Sequence, residues 1–192
     1  MQALLVVDAQ NEFSVHGQRT VPNHDSAVAA IAAHVEAARR DGRPIAWVRH
    51  HNKPTESPAF VPGSWGAALS EGFGARHDGA STERLFTKEV FGAFTNTELE
   101  QWLRDLDVSS VLITGFYTHM CVSTSCREAL VRGFDVVIDP DATGARALES
   151  ALLGSQSADE VRRTALLQVV NMGATLWSAS AVQATCYVTT SA

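Results

Sequence analysis

A chain of 192 residues has the size of one domain, long enough to bury about 70% of its unfolded surface without disulfides or a structural metal. Hydrophobic residues make up 45% and charged residues 19%, which excludes a disordered chain. The formal net charge of −6 disfavours a nucleic-acid partner, and the apolar run at 3–7 is too short for a membrane span or the core of a signal peptide. The cysteines Cys121, Cys126 and Cys186 are odd in number, lack metal-type spacing, and read as free thiols of a reducing, cytoplasmic compartment.

Residues 3–7 are an unbroken run of Ala, Leu and Val that ends at Asp8, the pattern of a strand buried on both faces. Asp25 and Ser26 precede the Ala-rich stretch 27–40, in which Ile31 and Val35 lie one turn apart. This predicts an amphipathic helix, capped by that pair and stopped by Asp41-Gly42. Residues 44–48 predict a second buried strand. From His51 to Ser81, Pro and Gly recur without periodicity, as in a long irregular excursion that forms a lid or a substrate wall. Strands follow at 84–88, 110–114, 134–138 and 174–177. Helices are expected at 97–106, with Leu99, Trp102, Leu103 and Leu106 on one side, and at 119–132, closed by Gly133. Another runs to Val170 from a capping box at Ser157 and Glu160, and a short one is expected near Ser180. Strands alternating with helices predict a three-layer α/β/α, Rossmann-like domain over 1–192. Its sheet would be mostly parallel and six-stranded, with helices on both faces. Ligands of such sheets bind beyond the carboxyl ends of the strands.

Three polar residues fall at those ends: Asp8, Lys88 and Cys121. Singly, each has an ordinary reading: a turn residue, a solvated charge and a small buried hydrophobe. Together they form a possible reaction centre. A thiol at a helix N-terminus beside an ammonium is expected to ionise more easily, and a nearby carboxylate can carry its proton to a leaving group. A nucleotide-binding turn is excluded, because Asp8-Ala9-Gln10-Asn11 stands where a glycine-rich loop would follow the first strand.

The stretch Ile113-Thr-Gly-Phe-Tyr-Thr-His-Met-Cys-Val-Ser-Thr124, followed by Arg127-Glu-Ala129, resembles the nucleophile segment of the isochorismatase-like cysteine hydrolases, which include nicotinamidases, carbamoyl-amide hydrolases and isochorismatases. Val7-Asp8-Ala9-Gln10-Asn11-Glu12-Phe13 is similar to the first motif of that superfamily. Lys88 with Gly92-Ala93-Phe94 and Thr97-Glu98-Leu99 is similar to its middle motif, and Asp141-Ala142 to its last. The four matches fall in family order over about residues 3–145.

The resemblance implies a catalytic set of Asp8 as general base and acid, Lys88 as the orienting cation and Cys121 as nucleophile. It also implies a cis peptide bond at Phe116–Tyr117, and an oxyanion hole formed by the backbone N–H groups of Tyr117 and Cys121. The expected reaction is hydrolysis of a small amide or ureido C–N bond through a thioester. A vinyl-ether hydrolase is the alternative, since the Gly-x-Tyr-x-His pattern before Cys121 resembles true isochorismatases; a non-catalytic member of the fold is the other. Phe13, Phe60, Trp65, Phe91, Tyr117 and His119 are candidates for the pocket wall, although His119 could instead pack at the helix start. Metal-binding nicotinamidases carry Asp-x-His after the second strand. Here Val48-Arg49-His50-His51 stands instead, and adjacent histidines on an extended chain point to opposite sides. No metal and no cofactor are therefore expected; His77 is the only other imidazole nearby. The expected partners are a small-molecule substrate and further copies of the chain in a homo-oligomer, with no nucleic acid and no membrane. Cys126, about 140° around a helix from Cys121, is expected in the core.

Overall fold

The structure, a computed structural model, describes residues 1–76 and 82–177. His77, Cys186 and the helix expected near Ser180 lie outside the described residues. The strands are β1 (Gln2–Val7), β2 (Ile45–His50), β3 (Glu83–Lys88), β4 (Ser110–Phe116), β5 (Asp135–Gly144), β6 (Leu148–Ser150), β7 (Gly154–Gln156) and β8 (Thr175–Leu176). The α-helices are α1 (His24–Arg40), α2 (Leu99–Asp105), α3 (Ser123–Val131) and α4 (Ala158–Asn171).

The main sheet has six strands in the order β3-β2-β1-β4-β5-β8, all parallel, as the alternation of strands and helices requires. Strand β1 is central and pairs with both β2 and β4, so its side chains are covered on both faces. Leu4 and Val6 pack with Ala27, Ile31 and Val35 of α1. Ala3, Leu5 and Val7 pack on the opposite face with Leu99 and Leu103 of α2, Ala129 of α3 and Val169 of α4. The result is a three-layer α/β/α arrangement in which the alternating side chains of one strand supply two cores. Each buried branched side chain contributes about 1.5–3 kcal/mol by leaving water.

Chain direction across the sheet reverses between β1 and β4, which places a crevice beyond their carboxyl ends. Gly115, near the end of β4, has φ 117°, and a Cβ there would lie 1.8 Å from the Val7 carbonyl oxygen. Glycine is thus required for the end of β4 to close against the end of β1.

Three elements differ from expectation. Helix α1 starts at His24, before Asp25-Ser26, and no side chain caps it; the Asn23 side chain instead donates to the Thr143 carbonyl 3.1 Å away, tying the helix start to β5. Strand β5 continues through Pro140 to Gly144, because its register with β4 slips between Ile138 and Thr143. A proline without an N–H is tolerated at such an irregularity. The β6–β7 hairpin was not expected, since its short strands are mostly exposed and carry no hydrophobic alternation. The capping box is formed as read: the Glu160 N–H donates to Ser157 Oγ at 3.3 Å, and the Ser157 N–H to Glu160 Oε2 at 2.8 Å. Among the described residues no helix is long and apolar enough to cross a membrane.

His34 of α1 meets Asp139 of β5 at 2.6 Å, with both side chains largely buried. Burial alone would raise the Asp139 carboxyl, but His34 and the N–H groups of Asp141 and Ala142 hold it below its ordinary value. A carboxylate with a lowered folded pKa stabilises above its unfolded value, about 3.9, and loses that contribution as pH falls through the folded value. Asp139→Asn should therefore lower Tm at neutral pH, and the gap from wild type should close at acid pH. Thermal melts across pH check this; a constant gap would refute it.

Candidate active site

Asp8 is the first residue past β1, at φ 53°, a left-handed conformation that Asp tolerates better than most residues. The turn is held by Gln10, whose buried amide accepts from the His50 N–H at 2.8 Å and donates to the His50 carbonyl at 3.0 Å and the Ala67 carbonyl at 2.7 Å. This ties the ends of β1 and β2 to the middle of the long excursion. Lys88 closes β3 and pairs in register with His50.

The Lys88 ammonium is almost fully buried. It lies 2.8 Å from Asp8 Oδ2, and donates to the Val90 carbonyl at 3.1 Å and to His50 Nδ1 at 3.3 Å. A buried cation is costly unless paired and hydrogen-bonded, and here it is both. Burial disfavours its charge, but the Asp8 carboxylate and the Cys121 sulfur outweigh that and raise its pKa. Since His50 Nδ1 accepts from Lys88, its proton sits on Nε2, which donates to Asn52 Oδ1 at 2.7 Å. The Asn52 amide in turn donates to the Ala59 carbonyl at 3.0 Å, which fixes its orientation. The chain Lys88–His50–Asn52–Ala59 thus orients the ammonium from behind.

Cys121 lies in a π-helical turn, Thr118–Val122, that leads into α3. Its carbonyl accepts from Ser125 Oγ at 2.6 Å, and its sulfur is within hydrogen-bond reach of both Asp8 and Lys88. The sequence expectation of a readily ionised thiol needs correction. Burial first, and then the Asp8 carboxylate, push the thiol well above its usual range, with Lys88 opposing. The resting pair is a thiol beside a carboxylate, with its proton still on sulfur.

The segment after Lys88 is fastened to the helix after Cys121. The Ala93 N–H donates to Ser125 Oγ at 3.1 Å and the Phe94 N–H to Glu128 Oε2 at 2.9 Å; the Thr95 hydroxyl donates to Glu128 Oε1. A Cβ on Gly92 would lie 2.2 Å from the Glu128 carboxylate, so a larger residue there would push that carboxylate off its bonds to Phe94 and Thr95. Ser125 and Glu128 therefore set the spacing between Lys88 and Cys121.

A cavity of about 260 Å³ opens over these groups. Asp8, Cys121, His50 and Asn52 line its reactive side, and Phe13, Phe60, Phe91, Tyr117 and Met120 form apolar wall. Arg19 and Arg146 complete the lining. Phe13 packs edge-on to Tyr117 with ring centroids 4.8 Å apart. The Phe116–Tyr117 peptide bond is cis. The Tyr117 hydroxyl donates to the Arg19 carbonyl at 2.6 Å, and burial pushes its pKa up to about 12.

Two expected wall residues are elsewhere. Trp65 is 55% exposed and stands near His16, because it belongs to the outer turn of the excursion. His119 is not on the cavity wall; its ring lies against Tyr117, 5.1 Å between centroids, and its nitrogens are buried without a hydrogen-bond partner among the described residues. Burial, reinforced by Arg146, lowers its pKa to about 4, so it is neutral at physiological pH. The donors do not suit a metal either: both ring nitrogens of His50 are engaged, and no cluster of three His, Cys, Asp or Glu occurs among the described residues. Sequence reading missed Arg19, Asn52, Met120 and Arg146 in the cavity. It also missed the buried Glu12, which accepts from the Gln18 N–H at 2.7 Å.

The chain is similar to Nicotinamidase 3 of Arabidopsis thaliana, 30% identical over 151 residues that cover 73% of this chain and 72% of the relative. It is 27% identical over 184 residues to a ureidoacrylate amidohydrolase of Methylobacterium radiotolerans, covering 79% of this chain and 71% of that one. The crystal structure of an isochorismatase from Pseudomonas putida superposes with a TM-score of 0.84 at 28% identity, covering 94% of this chain and 89% of that one. The isochorismatase domain model matches residues 2–180, and the chain therefore belongs to the isochorismatase family.

Proposed function

We propose that this protein is a cysteine-dependent hydrolase that cleaves a small amide or ureido C–N bond. The observation that carries the reading is the buried contact of Cys121 with both a carboxylate, Asp8, and an ammonium, Lys88, at the floor of a small cavity. Two relatives, the nicotinamidase and the ureidoacrylate amidohydrolase, are named for reactions of this kind.

In this mechanism Asp8 takes the thiol proton as sulfur attacks the carbonyl carbon. A burial-raised thiol pKa suits this step, because sulfur becomes anionic only when substrate has displaced water and the proton moves directly to Asp8. The tetrahedral oxyanion is held by the N–H groups of Tyr117 and Cys121. Asp8 then gives its proton to the nitrogen, the C–N bond breaks, and ammonia or an amine leaves. Water, deprotonated by Asp8, attacks the thioester; the acid departs and the proton returns to sulfur. Lys88 stays charged throughout and balances whichever partner is anionic.

The test is a panel of small amides, ureido compounds and isochorismate, read by ammonia and by pyruvate release. Ammonia release from an amide or urea is expected, and Cys121→Ala should abolish it while the far-UV spectrum and Tm persist. Pyruvate release without ammonia would instead assign vinyl-ether hydrolysis, and turnover retained by Cys121→Ala would remove the thiol from the mechanism.

A further inference from the structure

We infer that His50 is a positioning residue for the nucleophile. It holds one hydrogen of the Lys88 ammonium while Cys121 rests as a thiol, and yields that hydrogen to the sulfur as the thiolate forms. Asn52 and the Ala59 carbonyl set how firmly it is held. The inference rests on the reading of Cys121 as the nucleophile of a C–N hydrolase and deepens it.

An ammonium has three hydrogens. Among the described residues four acceptors compete for those of Lys88: Asp8 Oδ2 at 2.8 Å, the Val90 carbonyl at 3.1 Å, His50 Nδ1 at 3.3 Å and the Cys121 sulfur. One acceptor must therefore go without at every stage. Asp8 is the ion-pair partner, and the Val90 carbonyl lies only two residues along the chain from Lys88. The bond to His50 is the longest of the three, so it is the one to yield. A thiol is a weak acceptor and loses to the imidazole. A thiolate accepts a charge-assisted bond, about twice as strong as a neutral one, and wins.

The fold keeps the imidazole still while the lysine turns. His50 and Lys88 are register partners on the adjacent parallel strands β2 and β3. The Gln10 amide bonds both the N–H and the carbonyl of His50, at 2.8 and 3.0 Å, and the Phe60 ring packs edge-on to the imidazole at 5.5 Å. The lysine stem is flexible and its hydrogens rotate, so the ammonium is the part that moves. The far side of the ring sets how well Nδ1 accepts. Nε2 donates to Asn52 Oδ1 at 2.7 Å, and successive hydrogen bonds in a chain polarise one another. Asn52 is fixed in turn: its side-chain amide donates to the Ala59 carbonyl at 3.0 Å and its backbone N–H to the Phe60 carbonyl at 3.1 Å. The other charges nearby are Arg49, whose Nε donates to Thr87 Oγ1 at 3.0 Å, and Glu89, which acts with Arg49 on His51.

The test follows alkylation of Cys121 by iodoacetamide, in which sulfur displaces iodide, against pH and by peptide mass, beside Tm. His50→Leu removes the competing acceptor and should raise the rate at neutral pH by about two- to tenfold, the range set by one ordinary net hydrogen bond. Asn52→Leu keeps the imidazole but takes the acceptor from Nε2, and should give a smaller rise. His50→Asn puts an acceptor back where Nδ1 stood and should return the profile to within about twofold of wild type. In the Lys88→Met background His50→Leu should change nothing, because the hydrogen in dispute is gone. A rise that persists there reports a loosened site and overturns the inference. Equal rates in His50→Leu and His50→Asn, or a fall in His50→Leu, would do the same, since an imidazole that only packs gives those results. Should Lys88→Met not fold, the order of the other three variants decides alone: His50→Leu fastest, then Asn52→Leu, then His50→Asn. If that order holds while no amide or urea is hydrolysed, the C–N reading fails and the role of His50 stands.

Discussion

Asp8→Asn should leave Cys121 open to alkylation yet stop turnover. The Asp8 carboxylate is one of the causes holding the thiol pKa up, so an uncharged amide in its place makes thiolate easier to form. Alkylation by iodoacetamide near neutral pH should then equal or exceed wild type. Hydrolysis should fall by about 10²–10⁴, the usual contribution of a general acid, because nothing remains to protonate the leaving nitrogen. Parallel pH profiles of alkylation and of ammonia release check both halves. Near wild-type hydrolysis by Asp8→Asn would reduce Asp8 to a turn residue.

Lys88→Met should fail in the opposite order. Lys88 is the neighbour that lowers the thiol pKa, so its loss should slow alkylation at neutral pH, with recovery as pH rises. Each tenfold loss of thiolate corresponds to about 1.4 kcal/mol. The variant should also be less stable, because Asp8 is fully buried and Lys88 is its ion-pair partner at 2.8 Å. Removing one member of such a pair costs about 3–5 kcal/mol, whereas replacing both is often close to neutral. Denaturant titrations of Lys88→Met and of Asp8→Asn/Lys88→Met should show the double variant recovering much of the loss. An unmoved alkylation profile in Lys88→Met would take the ammonium out of the site.

Strands β1, β2 and β4 of the main sheet were legible because each is a short branched or apolar run bounded by turn residues. Asp8, Lys88 and Cys121 were legible because strand ends converge in a parallel sheet and each lay within a motif. What escaped depends on tertiary context. Arg19 and Arg146 sit in irregular chain, where no periodicity sets an arginine at a cavity rim apart from any other solvated one. Glu12 reads as a spacer within its motif, yet it is buried and organises the loop that bears Arg19. Trp65 reads as a pocket aromatic, but the turn that carries it faces outward. The direction of the Cys121 pKa was misjudged because a helix start and a lysine can be read from sequence, whereas desolvation cannot.

The fastening of Gly92, Ala93 and Phe94 to Ser125 and Glu128 divides the site into two mechanical parts. The reacting groups stand on strand ends and on a helix that are bolted together from the α3 side. Arg19, Asn52 and Phe60 hang from excursions on the other side of the crevice. A change in those excursions can therefore reshape what the cavity admits without altering the spacing of Asp8, Lys88 and Cys121. Exchange of the stretch 53–66 between such hydrolases, with the bonds of Asn52 to His50 and to the residue 59 carbonyl retained, is then a route to new substrate scope on an unchanged reaction centre.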